Sequence, residues 1–261
     1  LLEIMRLRLL GLVVLSALVL TAKDDRIRGA FRKPADHGWI FVHLEGSPAA
    51  RGFQNGYLLS AELQDAKRAI ELSATHDASQ NWSQLRAVAE KISWPKIPAE
   101  YREELEGIAA GIKAKGVKLD VIDLVTMNEW MEFPYYYDAL HKRQRSLPEH
   151  CSAFIATGGY TKDGRIVIGH NNWTDYLTGS RWKMIFDIVP ESGHRFIMDG
   201  VPGLIHSADD FGINDAGMMI TETTISGFHG FDENGIPEFV RARKAMQYSE
   251  SIDDFARIMK E

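Results

Sequence analysis

The hydrophobic pattern of this chain changes period near residue 150, and that change limits the folds open to it. Before that point apolar residues recur at helical spacing. Leu58, Leu59, Leu63, Ala66 and Ile70 share one face within residues 48–72, after a strand-like run at 39–42. Tyr101, Leu105, Ile108 and Ile112 predict a helix over 98–115 that Gly116 ends, and Asp120 is placed to cap a helix carrying Val121, Leu124, Val125 and Met127. After residue 150 the pattern shortens to that of strands. Runs at 152–157 and 165–169 flank a Gly-rich turn, 182–189 and 195–199 flank Pro190-Glu191-Ser192-Gly193, and 218–224 reads as a further strand. Helical spacing returns at 237–248 and at 251–260, where Ser251 is the expected cap. Strands followed by helices predict an α+β layered fold, antiparallel sheet covered by helices.

Composition excludes more than it identifies. The 261 residues are 45% hydrophobic and 25% charged, an ordinary globular balance, with formal charge −6. Residues 5–22 run from Met5-Arg6-Leu7-Arg8 through an apolar stretch to Thr21-Ala22, the pattern of a secretory signal. The stretch is shorter than the ~20 apolar residues of a spanning helix. Residues 1–22 are therefore expected to be a signal peptide, and no integral membrane span is expected in the mature chain. Export points to a secreted or periplasmic protein, or a lysosomal one in a eukaryote. Losing Glu3, Arg6 and Arg8 with that segment would leave the rest at −7. An acidic surface argues against nucleic acid, whose phosphates call for clustered Lys and Arg. His141-Lys142-Arg143-Gln144-Arg145 is short and reads as a solvated linker. The nine His show no H-x-x-x-H and the chain no C-x-x-C, so no metal site is expected; phosphate-binding glycine loops are missing too, and no cofactor is implied.

Cys151 is the chain's one cysteine, so it has no internal disulfide partner. A lone cysteine is commonly a small buried hydrophobe. Here it stands where the linker meets the first strand of the second half. Scission between His150 and Cys151 would give that residue a free α-amine beside its thiol. With an ordinary pKa of about 7.7–8, such an amine is a serviceable general base. One residue would then supply both nucleophile and base. The thiol could make the cut itself by attacking the preceding carbonyl, with water hydrolysing the thioester. The hairpin would bring His170 or Asn171 back beside Cys151, and Asn171 or Asn172 could donate to an oxyanion. Each Asn reads equally as a turn residue, Trp173 as core, and Glu222, inside an otherwise β-branched strand, as able to alternate outward into water.

Four ordered blocks carry a resemblance. Cys151-Ser152-Ala153, His170-Asn171-x-Trp173, Pro202-Gly203-x-Ile205-x-Ser207-x-Asp209-Asp210-Phe211 and Glu222-Thr223-Thr224-Ile225 together resemble the phospholipase B-like family, within the N-terminal-nucleophile (Ntn) hydrolase superfamily. The likeness covers roughly residues 150–261, and only loosely the Arg51-Gly52-x-Gln54-x-Gly56 helix start before it. It implies an αββα Ntn-hydrolase sandwich, self-cleavage between His150 and Cys151, and hydrolysis of acyl ester or amide bonds in lipid-like small molecules. Carried over by position, it makes Cys151 the nucleophile with His170 and Asn171, supported by Trp173, Asp209, Asp210 and Thr223. Residues 23–150 become a mainly helical N-terminal or pro segment and 151–261 the catalytic portion. That portion is expected to be truncated, because the family pattern runs on past the last helix. Alternatives are an acyltransferase or amidase of the penicillin-acylase-like branch, although His170 and Trp173 stand where that branch places Arg and Asp. His150, bulkier than the small residue common there, motivates a non-maturing binding protein on the same fold. A papain-like enzyme pairing Cys151 with a distant His is a further alternative.

Overall fold

The computed structural model describes residues 24–142, 151–207, 211–224 and 230–261. The expected signal segment, His150, Asp209, Asp210 and Ile225 lie outside these residues.

The first half is helical around one strand pair. Strands β1 (Phe31–Arg32) and β2 (Ile40–Gly46) precede α1 (Pro48–Leu58) and α2 (Ser60–Ala78). The single helix expected over 48–72 is thus two, divided at Leu59, whose φ/ψ of −113°/19° leaves the helical range. Helix α3 (Trp82–Val88) follows, then α4 (Ala99–Ala114), with Gly116 at φ 82° after its end, and α5 (Val121–Asn128), which Asp120 and Asp123 close with a reciprocal capping box. Helix α6 (Phe133–Leu140) ends the half.

The second half supplies the hairpin β3 (Ser152–Gly158) and β4 (Gly164–Asn171), the short α7 (Tyr176–Gly179), strands β5 (Met184–Pro190), β6 (Phe196–Gly200), β7 (Gly212–Asn214) and β8 (Met219–Ile220), and helices α8 (Glu238–Tyr248) and α9 (Ile252–Met259). Ser251 caps α9 by accepting from the Asp254 amide. The strand expected over 218–224 shrinks to β8; residues 221–224 run on without a ladder.

Among the described residues the strands form a six-stranded sheet, ordered β1-β2-β5-β6-β7-β8, and the separate pair β3-β4. The expected antiparallel sheet is corrected at one place, because β2 and β5 pair in parallel from Ile40↔Met184 to Gly46↔Pro190. A whole helical half intervenes between these strands, and a crossover of that length allows parallel pairing where a hairpin does not. Val42, Leu44, Phe186, Ile188, Phe196 and Met198 point to one face of this sheet and pack with Leu59, Ala245, Met246 and Ile258. Fully burying such a side chain is worth about 1.5–3 kcal/mol. The fold is therefore mixed α+β, with helices against a sheet to which both halves contribute.

A second core joins the halves again. Leu63, Ile70, Leu105, Ile108, Leu124 and Phe133 of the first half pack with Val201, Leu204, Ile205 and Phe239 of the second. Two details set its geometry. Helices α1 and α4 touch backbone to backbone: a Cβ at Gly52 would stand 2.0 Å from the Glu104 carbonyl oxygen, and one at Gly111 would stand 2.2 Å from that of Phe53. That approach lets Arg51 reach the Glu104 carboxylate at 2.9 Å. On its other side Glu104 receives Arg243 from α8 through two bonds of 3.0 Å, while Arg243 also donates to the Ile205 carbonyl at 2.9 Å. All three charged side chains are about as buried as the apolar core, with Glu104 only 2% exposed. Two guanidiniums hold the Glu104 carboxyl below its usual range although burial alone would raise it.

Candidate functional site

Strand periodicity explains what surrounds Cys151. The hairpin pairs Ser152 with Asn171, Ala153 with His170 and Phe154 with Gly169. Side chains alternate across a strand, so Cys151 and Ala153 share the face of His170, whereas Ser152 shares that of Asn171. His170 becomes the diagonal neighbour of Cys151, within side-chain reach. The third member arrives from elsewhere in sequence: leaving β8, the chain carries Glu222 to the same place. One ligand-capable atom each from Cys151, His170 and Glu222 lie within 4.8 Å of one another, and all three residues are half-buried.

The imidazole is tuned and oriented. Burial holds His170 below its usual pKa, and a hydrogen bond to the Glu222 backbone partly opposes that shift. A neutral ring at pH 7 is one that can accept a proton from a nearby thiol. The site also has an aromatic flank. Burial raises the Tyr135 phenol, and the neighbouring Glu222 charge raises it further. Trp130, Phe133 and Tyr137 from the same aromatic run are core residues, while Tyr136 sets its ring edge-on to Phe231 at 5.4 Å.

The other sequence-designated residues separate clearly. Asn171 is exposed and points away from Cys151, its Nδ2 donating to Ser152 Oγ at 3.3 Å. Asn172, on the cysteine's side by alternation, is exposed as well. Trp173 is not core but 65% exposed, and Thr223 is exposed beside Glu222. His150, Asp209 and Asp210 fall outside the described residues. The stretch ahead of that Asp pair is structural. Val201 to Ser207 is buried, with Gly203 at φ 88°, and Asn128 clamps it by donating to the Gly203 carbonyl at 3.1 Å and accepting from the Ile205 amide at 2.8 Å.

A thiol, a neutral imidazole and a carboxylate gathered on three separate segments can move a proton off sulfur or hold a cation. The surroundings are an α+β protein whose candidate nucleophile precedes a two-stranded hairpin. In comparison with known proteins, the Phospholipase B family model matches residues 72–259, well over half of the chain. The chain belongs to the phospholipase B family. The matched stretch reaches back through most of the helical half, further than the four blocks indicate. A relative from Archaeoglobus fulgidus, described only as an uncharacterized protein, is 25% identical over 238 residues, which is 86% of this chain and 39% of that protein. The chain thus spans about two fifths of the curated relative it matches. Among the described residues, no helix is long and apolar enough to cross a membrane.

Proposed function

We propose that this chain carries the nucleophile of a self-processing acyl hydrolase acting on ester or amide bonds of lipid-like substrates. The convergence of Cys151, His170 and Glu222 carries the reading. In the intact chain His170 takes the thiol proton. The sulfur attacks the His150 carbonyl carbon, the His150–Cys151 C–N bond breaks, and the departing nitrogen takes that proton from His170 to become the free α-amine. Water then hydrolyses the thioester, leaving a carboxylate on His150 and restoring the thiol. In turnover the α-amine serves as base, sulfur attacks the substrate carbonyl, the alcohol or amine leaves protonated, and water releases the acid. Family membership supports hydrolysis of lipid acyl bonds, and the Ntn sandwich would build on the β3–β4 hairpin. The leader-like residues 5–22 support secretion or periplasmic export.

Intact mass of the purified protein, with phospholipid hydrolysis assayed on the same sample, tests this directly. Two pieces divided before Cys151 are expected, with a single uncut and inactive chain for Cys151→Ala. Identical masses and activity for both proteins would end the proposal.

A second reading draws on the same proximity. If His170 is the base in turnover as well, the enzyme works in papain-like fashion without a new N-terminus. Carbamylating the α-amine of the matured protein separates the two, because activity persists only under the papain-like reading.

A further inference from the structure

We infer that Cys151, His170 and Glu222 form a site for a borderline-soft divalent cation, Zn²⁺ in chemical class, which holds the thiol in an inhibited state. No local spacing announces such a site, because its three members stand just ahead of β3, on β4 and on the segment after β8. Their donor atoms lie within 4.8 Å of one another. Tetrahedral zinc bonds of about 2.0–2.3 Å place ligand atoms about 3.3–3.8 Å apart, so small side-chain rotations close the set. The donors are one sulfur, one imidazole nitrogen and one carboxylate oxygen. Thiolate with imidazole selects zinc-like cations over Mg²⁺ or Ca²⁺, which take oxygen ligands.

A second feature points the same way. One ring nitrogen of His170 is engaged by the backbone of Glu222. Metal-bound histidines are characteristically oriented by such a bond from the other nitrogen, which fixes the tautomer and turns the remaining lone pair toward the metal. Here the orienting group belongs to the residue that supplies the carboxylate. All three residues are half-buried, which leaves room for water in the fourth position of an open site.

Capture exchanges the thiol proton for the cation: Cys–SH and M²⁺ give Cys–S–M⁺ and H⁺. Sulfur so held cannot attack a carbonyl, and the imidazole lone pair that would accept its proton is occupied. The inhibitory consequence rests on the proposed role of Cys151 as nucleophile, whereas cation capture requires neither cleavage nor turnover.

The test uses the full chain, stripped with chelator and titrated with Co²⁺ as a spectroscopic probe. One equivalent of Co²⁺ is expected to produce a thiolate-to-cobalt charge-transfer band with tetrahedral d–d absorption, and Zn²⁺ to displace it. Cys151→Ser should lose the charge-transfer band. Glu222→Gln and His170→Ala should each weaken Co²⁺ binding about tenfold or more, with circular dichroism checking that each variant is folded. A wild-type protein without the charge-transfer band overturns the inference, as does a band of unchanged affinity in both folded Glu222 and His170 variants, which would place the cation on sulfur alone. Intact mass of the same samples reports cleavage before Cys151 separately. Where cleavage or hydrolysis occurs, excess Zn²⁺ should suppress it and chelator should restore it; metal-insensitive rates on a cobalt-binding protein would overturn the inhibitory role.

Discussion

At the scale of single residues, Glu129 and Glu132 are the most exacting test of the interior. They stand at the two ends of the turn between α5 and α6, and burial raises both carboxyls, with the Glu129 charge raising Glu132 further. Ser93 Oγ donates to Glu129, and the Glu238 amide donates to Glu132 at 3.1 Å. With folded pKa values above the ordinary 4.5, the native state binds more protons than the unfolded one as pH climbs from there. Stability contributed by the protonated pair is complete below that value and is lost as pH rises through the raised values. Chemical denaturation between pH 4.5 and 8.5 should therefore show a decline that Glu129→Gln flattens; an unchanged slope in the variant would remove the assignment. His170 gives a second residue-scale expectation: His170→Gln should slow cleavage before Cys151 by about 10²–10⁴, the usual weight of a general base, followed as the half-life of the intact chain by mass.

The residue scale also shows what the sequence made visible. The Gly-rich turn and two runs of matching length foretell the hairpin, and alternation then places His170 on the thiol's side. The same alternation removes Asn171 from that side, since pairing with Ser152 sends its amide across the sheet. Glu222 was ambiguous because its neighbours read as a continuing strand, whereas the ladder stops at Ile220 and the chain is free to turn the carboxylate inward.

Among the elements, the contact of α1 with α4 is the least forgiving. Gly56 faces the Ile108 carbonyl, where a Cβ would stand 2.1 Å from the oxygen, so Gly56→Ala has to push the helices apart. We expect a loss of about 1–3 kcal/mol, read as a lower urea midpoint at unchanged slope. Helix α8 supplies a gentler case. It has no side-chain cap of its own, and Glu132 serves instead by accepting from its first amide. Glu132→Ala removes that acceptor, typically worth about 1 kcal/mol, while Glu132→Gln keeps an acceptor oxygen and should recover part of the loss. The helices over 98–115, after Asp120, over 237–248 and over 251–260 were legible from their apolar stripes, two of them also from the caps Asp120 and Ser251. The division at Leu59 was not, since the apolar spacing continues across it while the backbone does not.

For the whole molecule, the meeting of the halves was the least legible feature. Nothing in either strand announces that β2 will lie beside β5, because parallel pairing is decided by packing far from either segment. The Arg51–Glu104–Arg243 cluster crosses the same divide. If the bond before Cys151 is cut, the two pieces should still elute together at neutral pH without denaturant. Removing one partner of a buried ion cluster costs about 3–5 kcal/mol. Glu104→Ala should consequently loosen the pair, seen as separation of the pieces at lower urea than in the wild type. Pieces that part spontaneously in the wild type would contradict the shared sheet.

The parallel neighbourhood of β2 and β5 also orders events in time. On a ribosome, residues 40–46 emerge long before residues 184–190, so β2 must wait for its inner partner until most of the chain has been translated. A first half synthesised alone would expose that strand's hydrogen-bonding edge and invite aggregation. Assembly therefore has to precede any scission, and two separately made halves should fail to reconstitute what one continuous polypeptide builds.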